Sequence, residues 1–340
     1  MNIIQQQDIE RFANDFPLSE KLANKSVLIT GATGLVGQTL VRCINGLNCG
    51  AKILCPARNL VKANQLFGDI LNQITVIECD LAVWLRSLDT PVDYIIHCAS
   101  PTDGLFMKQH PVETFDFIYD TTKSLLDYSC RNRVSSMVFI SSVEYYGQIL
   151  DEVEIDESYQ GYADVDNPRN SYPIGKRAAE FLCKAYFSEY GVPVKCARLT
   201  QTFGAGVSLT DNRVFAQFTK SIMNSCDIVL HTDGTSAKQY CYITDTVSAI
   251  LYIMLTGKNG MSYNVANPDT YISIRDLACH LIKEFNPNVE LRFDIKENNN
   301  YASVTKLKLN TDQIYQLGWR PQYGLTEMFK RLLEYYRSMQ

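Results

Sequence analysis

The chain has 340 residues, 46% hydrophobic and 20% charged, enough to bury a full core and to build one large domain or two interleaved ones. A net charge of −5 offers no basic surface for nucleic acid, and the 11 cysteines form no Cys-x-x-Cys pair, so no zinc or other metal site is expected and most thiols should lie buried in a reducing compartment. Met1 to Glu10 lacks a basic or apolar leader and no run is long enough to span a bilayer, so a cytoplasmic protein without membrane contact is expected.

Residues 1–24 read as an amphipathic helical arm plus a linker, with Ile4, Ile9 and Phe12 at helical intervals. The arm packs either on a partner subunit or on its own domain. Lys25–Thr30 is an apolar run of strand type, followed by Gly31-Ala32-Thr33-Gly34-Leu35-Val36-Gly37 and then by Gln38–Asn45 with helical spacing. Strand, glycine turn and helix start make a dinucleotide site. The glycines allow the turn and the backbone's approach to a pyrophosphate, and the helix amino terminus offers free N–H groups. Gly31, Thr33, Gly34, Leu35, Val36 and Gly37 are therefore expected at a cofactor, although the spacing is Gly-x-x-Gly-x-x-Gly rather than the commoner Gly-x-Gly-x-x-Gly.

Ala51–Asn59 reads as the second strand and its exit. An NAD-specific site commonly carries an acid here for the ribose 2′-hydroxyl; Arg58 instead suits a 2′-phosphate or adenine stacking, a lean toward NADP. Ile74–Leu81 and Asp93–Pro101 contain the third and fourth strands, with His97 as a core residue of the latter. A helix over Pro111–Asn132 precedes a fifth strand at Met137–Ile140. This alternation predicts an α/β, Rossmann-type doubly wound parallel sheet covered on both faces. Ligands then bind beyond the carboxyl ends of the strands, where Ser142 and Glu144 fall.

The acidic, tyrosine-containing segment Asp151–Asn170 reads as a lid loop. Behind it, Tyr172 and Lys176 stand at i and i+4 on one helix face, so an ammonium can sit beneath a phenol. A phenol has an ordinary pKa of about 10 and works as a base near neutrality only where positive charge favours the phenolate. Lys176 and an oxidised nicotinamide would supply that charge, with Ser142 donating to the same substrate oxygen. A sixth strand follows at Val194–Leu199. Beyond Gly204 the pattern is less regular, which suggests a helical arm at 1–24, a cofactor domain at 25–200 and a small mixed substrate lobe at 201–340, partly interleaved with the sheet. Ile228–His231 reads as a strand, Ser273 as a helix N-cap, Asn298–Asn300 as a loop tip, Leu317–Pro321 as a turn into the last helix, and Lys306, Lys308 and Arg320 as solvated cations.

Taken together, Thr30–Gly37, Ser142 five residues before Gly147, Tyr172-x-x-x-Lys176, Arg198–Gly204 and Tyr240–Asp245 resemble the extended short-chain dehydrogenase/reductases, and more narrowly their nucleotide-sugar epimerase, dehydratase and decarboxylase members. The resemblance runs from about Lys25 to the carboxyl terminus. It implies NAD or NADP as cofactor, a nucleotide-diphosphate sugar as substrate, and a homodimer through the helices at Pro111–Asn132 and Tyr172–Glu189. It places Asp80 and Leu81 against adenine, Ala99 and Ser100 along the ribose and pyrophosphate, and Thr102, Gln201, Arg213 and Lys238 toward the substrate. Gln201 stands where relatives often carry asparagine, Ala205 where proline is frequent, and Lys238 where arginine is more usual.

The reaction type turns on Glu144. Dehydratases of this group place an Asp-Glu pair after the serine or threonine, whereas this chain has Val143 first. Members of the UDP-glucuronate decarboxylase type keep only the glutamate, in a Thr-Ser-Glu-Val-Tyr-Gly pattern close to Ser142–Gly147. The resemblance therefore implies decarboxylation through a transient 4-keto sugar, with Ser142, Glu144, Tyr172 and Lys176 as catalytic residues and tightly held NAD if the cycle is redox-neutral. A 4-keto reductase or C4 epimerase is the alternative reading. A non-enzymatic dinucleotide-binding regulator is a third, and that class often loses the tyrosine or lysine present here.

Overall fold

Residues 1–88, 90–149, 154–295 and 305–340 are described by a computed structural model. The Asn298–Asn300 tip and the first three residues of the Asp151–Asn170 segment lie outside the described residues.

In chain order the strands of the first half are β1 (Ser26–Thr30), β2 (Lys52–Ala57), β3 (Ile74–Glu78), β4 (Tyr94–His97) and β5 (Ser136–Ser142). β6 (Glu154–Ile155) leaves them. β7 (Val194–Leu199) returns, and β8 (Gln201–Phe203), β9 (Ile228–Leu230), β10 (Ala237–Tyr242) and β11 (Ser262–Val265) follow. The main sheet is seven-stranded, ordered β11-β7-β5-β4-β1-β2-β3, with every pair parallel. Its interior runs are continuous rather than alternating: Val27, Leu28 and Ile29 are all fully buried, as a parallel sheet covered on both faces requires. The last strands are β12 (Asn267–Ser273), β13 (Leu291–Phe293) and β14 (Lys306–Leu309). They build a smaller mixed sheet, β12-β10-β14-β6 with β8 beside β10, and a β13-β9 pair. The fold is α/β of Rossmann type.

The helices that position the site begin with α1 (Ile3–Asp15), which Asn2 opens with a capping box shared with Gln5. α2 (Leu35–Gly46), α3 (Leu60–Phe67), α4 (Leu81–Ser87) and α5 (Gly104–Gln109) link the first strands. α6 (Pro111–Asn132) spans the predicted segment with proline in its first turn, where a missing N–H costs nothing. α7 (Ser171–Tyr190) packs alongside it. α8 (Val214–Met223), α9 (Ile243–Thr256), α10 (Ile274–Phe285), α11 (Asp312–Tyr315) and α12 (Leu325–Arg337) complete the chain, and Ser273 caps α10 as expected, accepting from Asp276 N–H.

The arm lies on its own chain. Phe12 joins the core of the main sheet and Ile4 the core of the smaller one, while buried Asp8 accepts from Tyr242 (2.7 Å) and Arg331 (2.6 Å). His97 is a core residue: Nδ1 lies 2.7 Å from the Thr30 hydroxyl and Nε2 3.3 Å from that of Thr121, and burial brings its pKa down to about 3, so the ring is neutral. The cysteines correct one expectation. Only five of the 11 are buried; three are half-buried, and three are exposed, Cys130 and Cys279 on the outer faces of α6 and α10 and Cys226 in the turn between α8 and β9.

Candidate active site

The glycine turn sits at the carboxyl end of β1. Gly31 has φ +67°, and a Cβ there would stand 2.6 Å from the Ala99 nitrogen, so only glycine lets the turn pass this close to the end of β4. A Cβ on Gly37 would lie 2.2 Å from the Gly31 carbonyl. Gly34 opens α2 without any side-chain cap, and Gln38 is the first residue whose N–H bonds back to it (2.8 Å). The N–H groups of Leu35, Val36 and Gly37 therefore lie in the first helical turn, without intrahelical partners and facing the mouth of the turn. This cradle suits a dinucleotide pyrophosphate. At the adjoining strand ends, Arg58 is exposed with its guanidinium 5.4 Å from the Phe117 ring centroid on α6. Asp80 caps α4 by accepting from Val83 N–H (3.0 Å), and Leu81 is buried behind it.

Four strand ends away, β5 delivers Ser142 into a 3₁₀ turn, Val143–Tyr146. Ser142 Oγ accepts from the Glu144 N–H (3.2 Å), holding the turn tight. Val143 points into an apolar cluster with Tyr146, Ile155 and Leu307. Glu144 points the other way: its carboxyl has surface accessible in the cleft yet is enclosed by protein on most sides, and makes no hydrogen bond among the described residues. Burial pushes its pKa up, against the opposing pull of Lys238, Arg169 and Lys176 in that order.

On α7, Lys176 is buried, donates to the Ile140 carbonyl (2.8 Å) and lies 5.5 Å from the Tyr172 ring centroid. Burial lowers its pKa to about 8, partly offset by Cys98, Glu180, Cys183 and Glu144. The phenol of Tyr172 moves the opposite way to the sequence expectation. Burial, then the Glu144 carboxylate, push its pKa above the ordinary range, and only the nearby Ser142 and Ser100 hydroxyls counter them. Lys176 does not enter that balance: its ammonium is directed at the Ile140 carbonyl. The buried Ser100 hydroxyl completes no hydrogen bond of ordinary geometry, which leaves it available beside the phenol.

From the smaller sheet, Lys238 on β10 enters the same cleft. Burial lowers its pKa and Glu144 raises it. Arg169, in a 3₁₀ turn at Pro168–Asn170 just before α7, supplies a second cation facing Glu144. Sequence reasoning missed Arg169, although the Asn167-Pro168 dipeptide marks a turn two residues ahead of Ser171. Arg213 is exposed and already paired with Asp211 (2.6 Å), Gln201 is half-buried on β8, and Thr102 is exposed in the loop after β4. Ser142, Glu144, Tyr172, Lys176 and Lys238 are thus brought together, while Arg213 stands in a separate ion pair.

The profile of the NAD dependent epimerase/dehydratase family matches residues 27–266. The chain belongs to that family. It is 26% identical over 329 residues, 93% of this chain and 90% of its relative, to UDP-glucuronic acid decarboxylase 6 of Arabidopsis thaliana. Its fold resembles UDP-glucose 4-epimerase of Thermotoga maritima, solved with UDP-glucose (TM-score 0.79, 20% identity, 92% of this chain and 99% of that one). It also resembles dTDP-glucose 4,6-dehydratase of Bacillus anthracis, solved with NAD (TM-score 0.75, 16% identity, 92% and 96%). As a member of this family the protein is an NAD-dependent enzyme of nucleotide-sugar chemistry, and the cradle of Gly31 to Gly37 fits the cofactor. Among the described residues no cluster of His, Cys, Asp or Glu is placed to hold a metal, and no helix is long and apolar enough to cross a membrane.

Proposed function

We propose that the protein decarboxylates a nucleotide-linked uronic acid of the UDP-glucuronate class through a 4-keto intermediate, retaining NAD through the turnover. The observation that carries this reading is the split between neighbours: Val143 is buried in an apolar cluster while Glu144 alone faces Tyr172. Elimination of water by paired acids lacks one of its partners here. Decarboxylation needs no such pair, because a ketone at C4 serves as electron sink for the electrons of the breaking C5–C6 bond.

When bound, the nicotinamide accepts the C4 hydride and later returns it. Tyr172 takes the C4 hydroxyl proton, and Ser142 orients that hydroxyl. Positive charge on the oxidised nicotinamide, when bound, would offset the burial that raises the phenol. With the proton on Tyr172, its O–H faces O4 and stabilises the enolate left as carbon dioxide departs. Glu144, whose raised pKa lets it hold a proton nearer neutrality, hands that proton to C5. Tyr172 returns its own proton to O4 as C4 is reduced. Lys238 and Arg169 face the anionic groups of the substrate, its carboxylate and diphosphate.

The test is the nucleotide released on denaturing freshly purified protein, together with carbon dioxide release from UDP-glucuronate. NAD near one per chain with carbon dioxide evolved supports the reading. Retained NAD with C4 epimerisation and no carbon dioxide replaces it with an epimerase. An empty protein preferring NADPH replaces it with a dissociating reductase and assigns Arg58 to a 2′-phosphate. The proposed assembly is a homodimer through α6 and α7, on which Val112 and Phe181 are exposed; a monomer by light scattering at micromolar concentration would refute it.

A further inference from the structure

The residue after Glu144 is tyrosine, where the Thr-Ser-Glu-Val-Tyr-Gly pattern carries valine, and Tyr145 is held in an unusual way. Two guanidinium groups stand over its ring. Arg198 of β7 sits 3.5 Å from the ring centroid and Arg177 of α7 5.5 Å. Each cation is attracted to the ring's quadrupole, more strongly where water is excluded, and both are themselves fixed. Arg198 is fully buried, donates to both Glu180 carboxylate oxygens (Nε 3.0 and 3.2 Å, Nη2 2.9 Å), and reaches the Tyr146 hydroxyl (3.0 Å) and the Glu157 carbonyl (2.9 Å). Glu180 lies one turn after Lys176 on α7 and also accepts from Ser262 (3.0 Å). Arg177 donates to the Tyr145 carbonyl and to the Gly161 carbonyl (2.8 Å) of the lid segment. The Gln160 side-chain amide donates to the Tyr145 hydroxyl (3.0 Å).

Tyr145 is therefore the point at which three pieces of the site meet: the turn bearing Ser142 and Glu144, the helix bearing Tyr172 and Lys176, and the segment that leads to Arg169. The fit between turn and lid is close, since a Cβ on Gly147 would stand 2.3 Å from the Tyr162 carbonyl. A 3₁₀ turn of four residues orders little more than its own backbone, so the direction of a side chain that stands in the cleft is not set by the turn alone. It must be gripped from outside. We propose that Tyr145, held by Arg198 and Arg177, is the positioning residue for Glu144, aiming its carboxyl at Tyr172, with Lys176, Lys238 and Arg169 around it. The inference rests on the proposed role of Glu144, although the clamp itself is independent of which sugar is turned over.

The test uses the full-length protein with its retained cofactor, labelled with carbon-13 at the glutamate carboxyls. The Glu144 resonance is identified by its loss in Glu144→Gln. In Tyr145→Leu, which removes the ring, the raised Glu144 pKa is expected to fall toward the ordinary glutamate value. Turnover of UDP-glucuronate is expected to fall at least tenfold in kcat with KM changed less than threefold. Tyr145→Phe, which keeps the ring, retains the wild-type values of both. An unchanged Glu144 titration in the leucine variant overturns the proposal, as does equal impairment of the two variants. If the leucine variant does not fold, Arg177→Gln at the half-buried side of the clamp decides the matter: a smaller downward shift of the same resonance supports it, and none overturns it. If wild-type protein releases no carbon dioxide, the functional reading fails while the resonance still reports on the clamp.

Discussion

The main sheet buries a lysine at each of its rims, and the two invite comparison. Lys176, at the carboxyl rim, and Lys195, at the amino rim, are both brought down to about 8 by desolvation. Around Lys195 the influence on the proton is desolvation: its ammonium donates to Ser136 Oγ (2.8 Å) and to the Pro193 carbonyl (3.4 Å), and Ser136 donates in turn to the Met254 carbonyl (2.7 Å), with no second titratable group in the arrangement. Around Lys176 a phenol, a carboxyl and two hydroxyls converge from β4, β5 and α7. A perturbed pKa reports burial. What marks a reaction centre is burial together with groups that can pass a proton and an open cleft beside them.

The largest effect that should separate the rims is on turnover. Tyr172→Phe and Lys176→Met are each expected to lower kcat by about 10²–10⁴-fold with cofactor still bound, whereas Lys195→Met stays within a few-fold of wild type, measured as product formed per bound NAD. A Lys195→Met enzyme as dead as Lys176→Met would break the distinction. Next, Glu144→Gln should cut carbon dioxide release from UDP-glucuronate by roughly 10²-fold or more while the bound NAD is still reduced at 340 nm. Reduced cofactor failing to accumulate would move Glu144 to the hydride step.

A smaller effect sharpens what the rims share. A lysine with a folded pKa of about 8 and an unfolded value of 10.5 favours the folded state fully above 10.5 and loses that support as pH falls through 8. Wild-type stability relative to Lys195→Met should therefore improve by about 1–3 kcal/mol between pH 7 and pH 10, read from chemical denaturation at each pH. A gap independent of pH would mean that Lys195 titrates normally. The smallest effect lies away from both rims: Ser273→Ala, which removes the cap of α10, should cost about 1 kcal/mol of stability and leave kcat unchanged.

Part of the site was legible because the chemistry is written in short spacings. Four residues on a helix set Tyr172 and Lys176 on one face, and seven residues of glycine turn prescribe a backbone that no Cβ could follow at Gly31 or Gly37. The Pro111 to Asn132 helix and the Ser273 cap were legible for the same reason, since both are set by local hydrogen bonding. The direction of the Tyr172 pKa was not. Helical spacing brings a lysine beneath the phenol, but the burial of that phenol and the approach of Glu144 depend on how β5 and α7 pack.

By itself the sequence determined the parallel Rossmann sheet, the glycine turn, the candidate tyrosine, lysine and serine that meet in the cleft and the family to which the chain belongs, because each follows from periodicities and backbone limits acting within a few residues. Only the tertiary structure decided that the arm folds back on its own chain, that Lys238 meets Glu144 across 94 residues of sequence, that Arg169 joins them, and that Tyr145 is gripped by two arginines. Those placements arise from burial and strand register summed over the whole molecule, and desolvation, which sets the strength of every charge in the cleft, belongs to no residue alone.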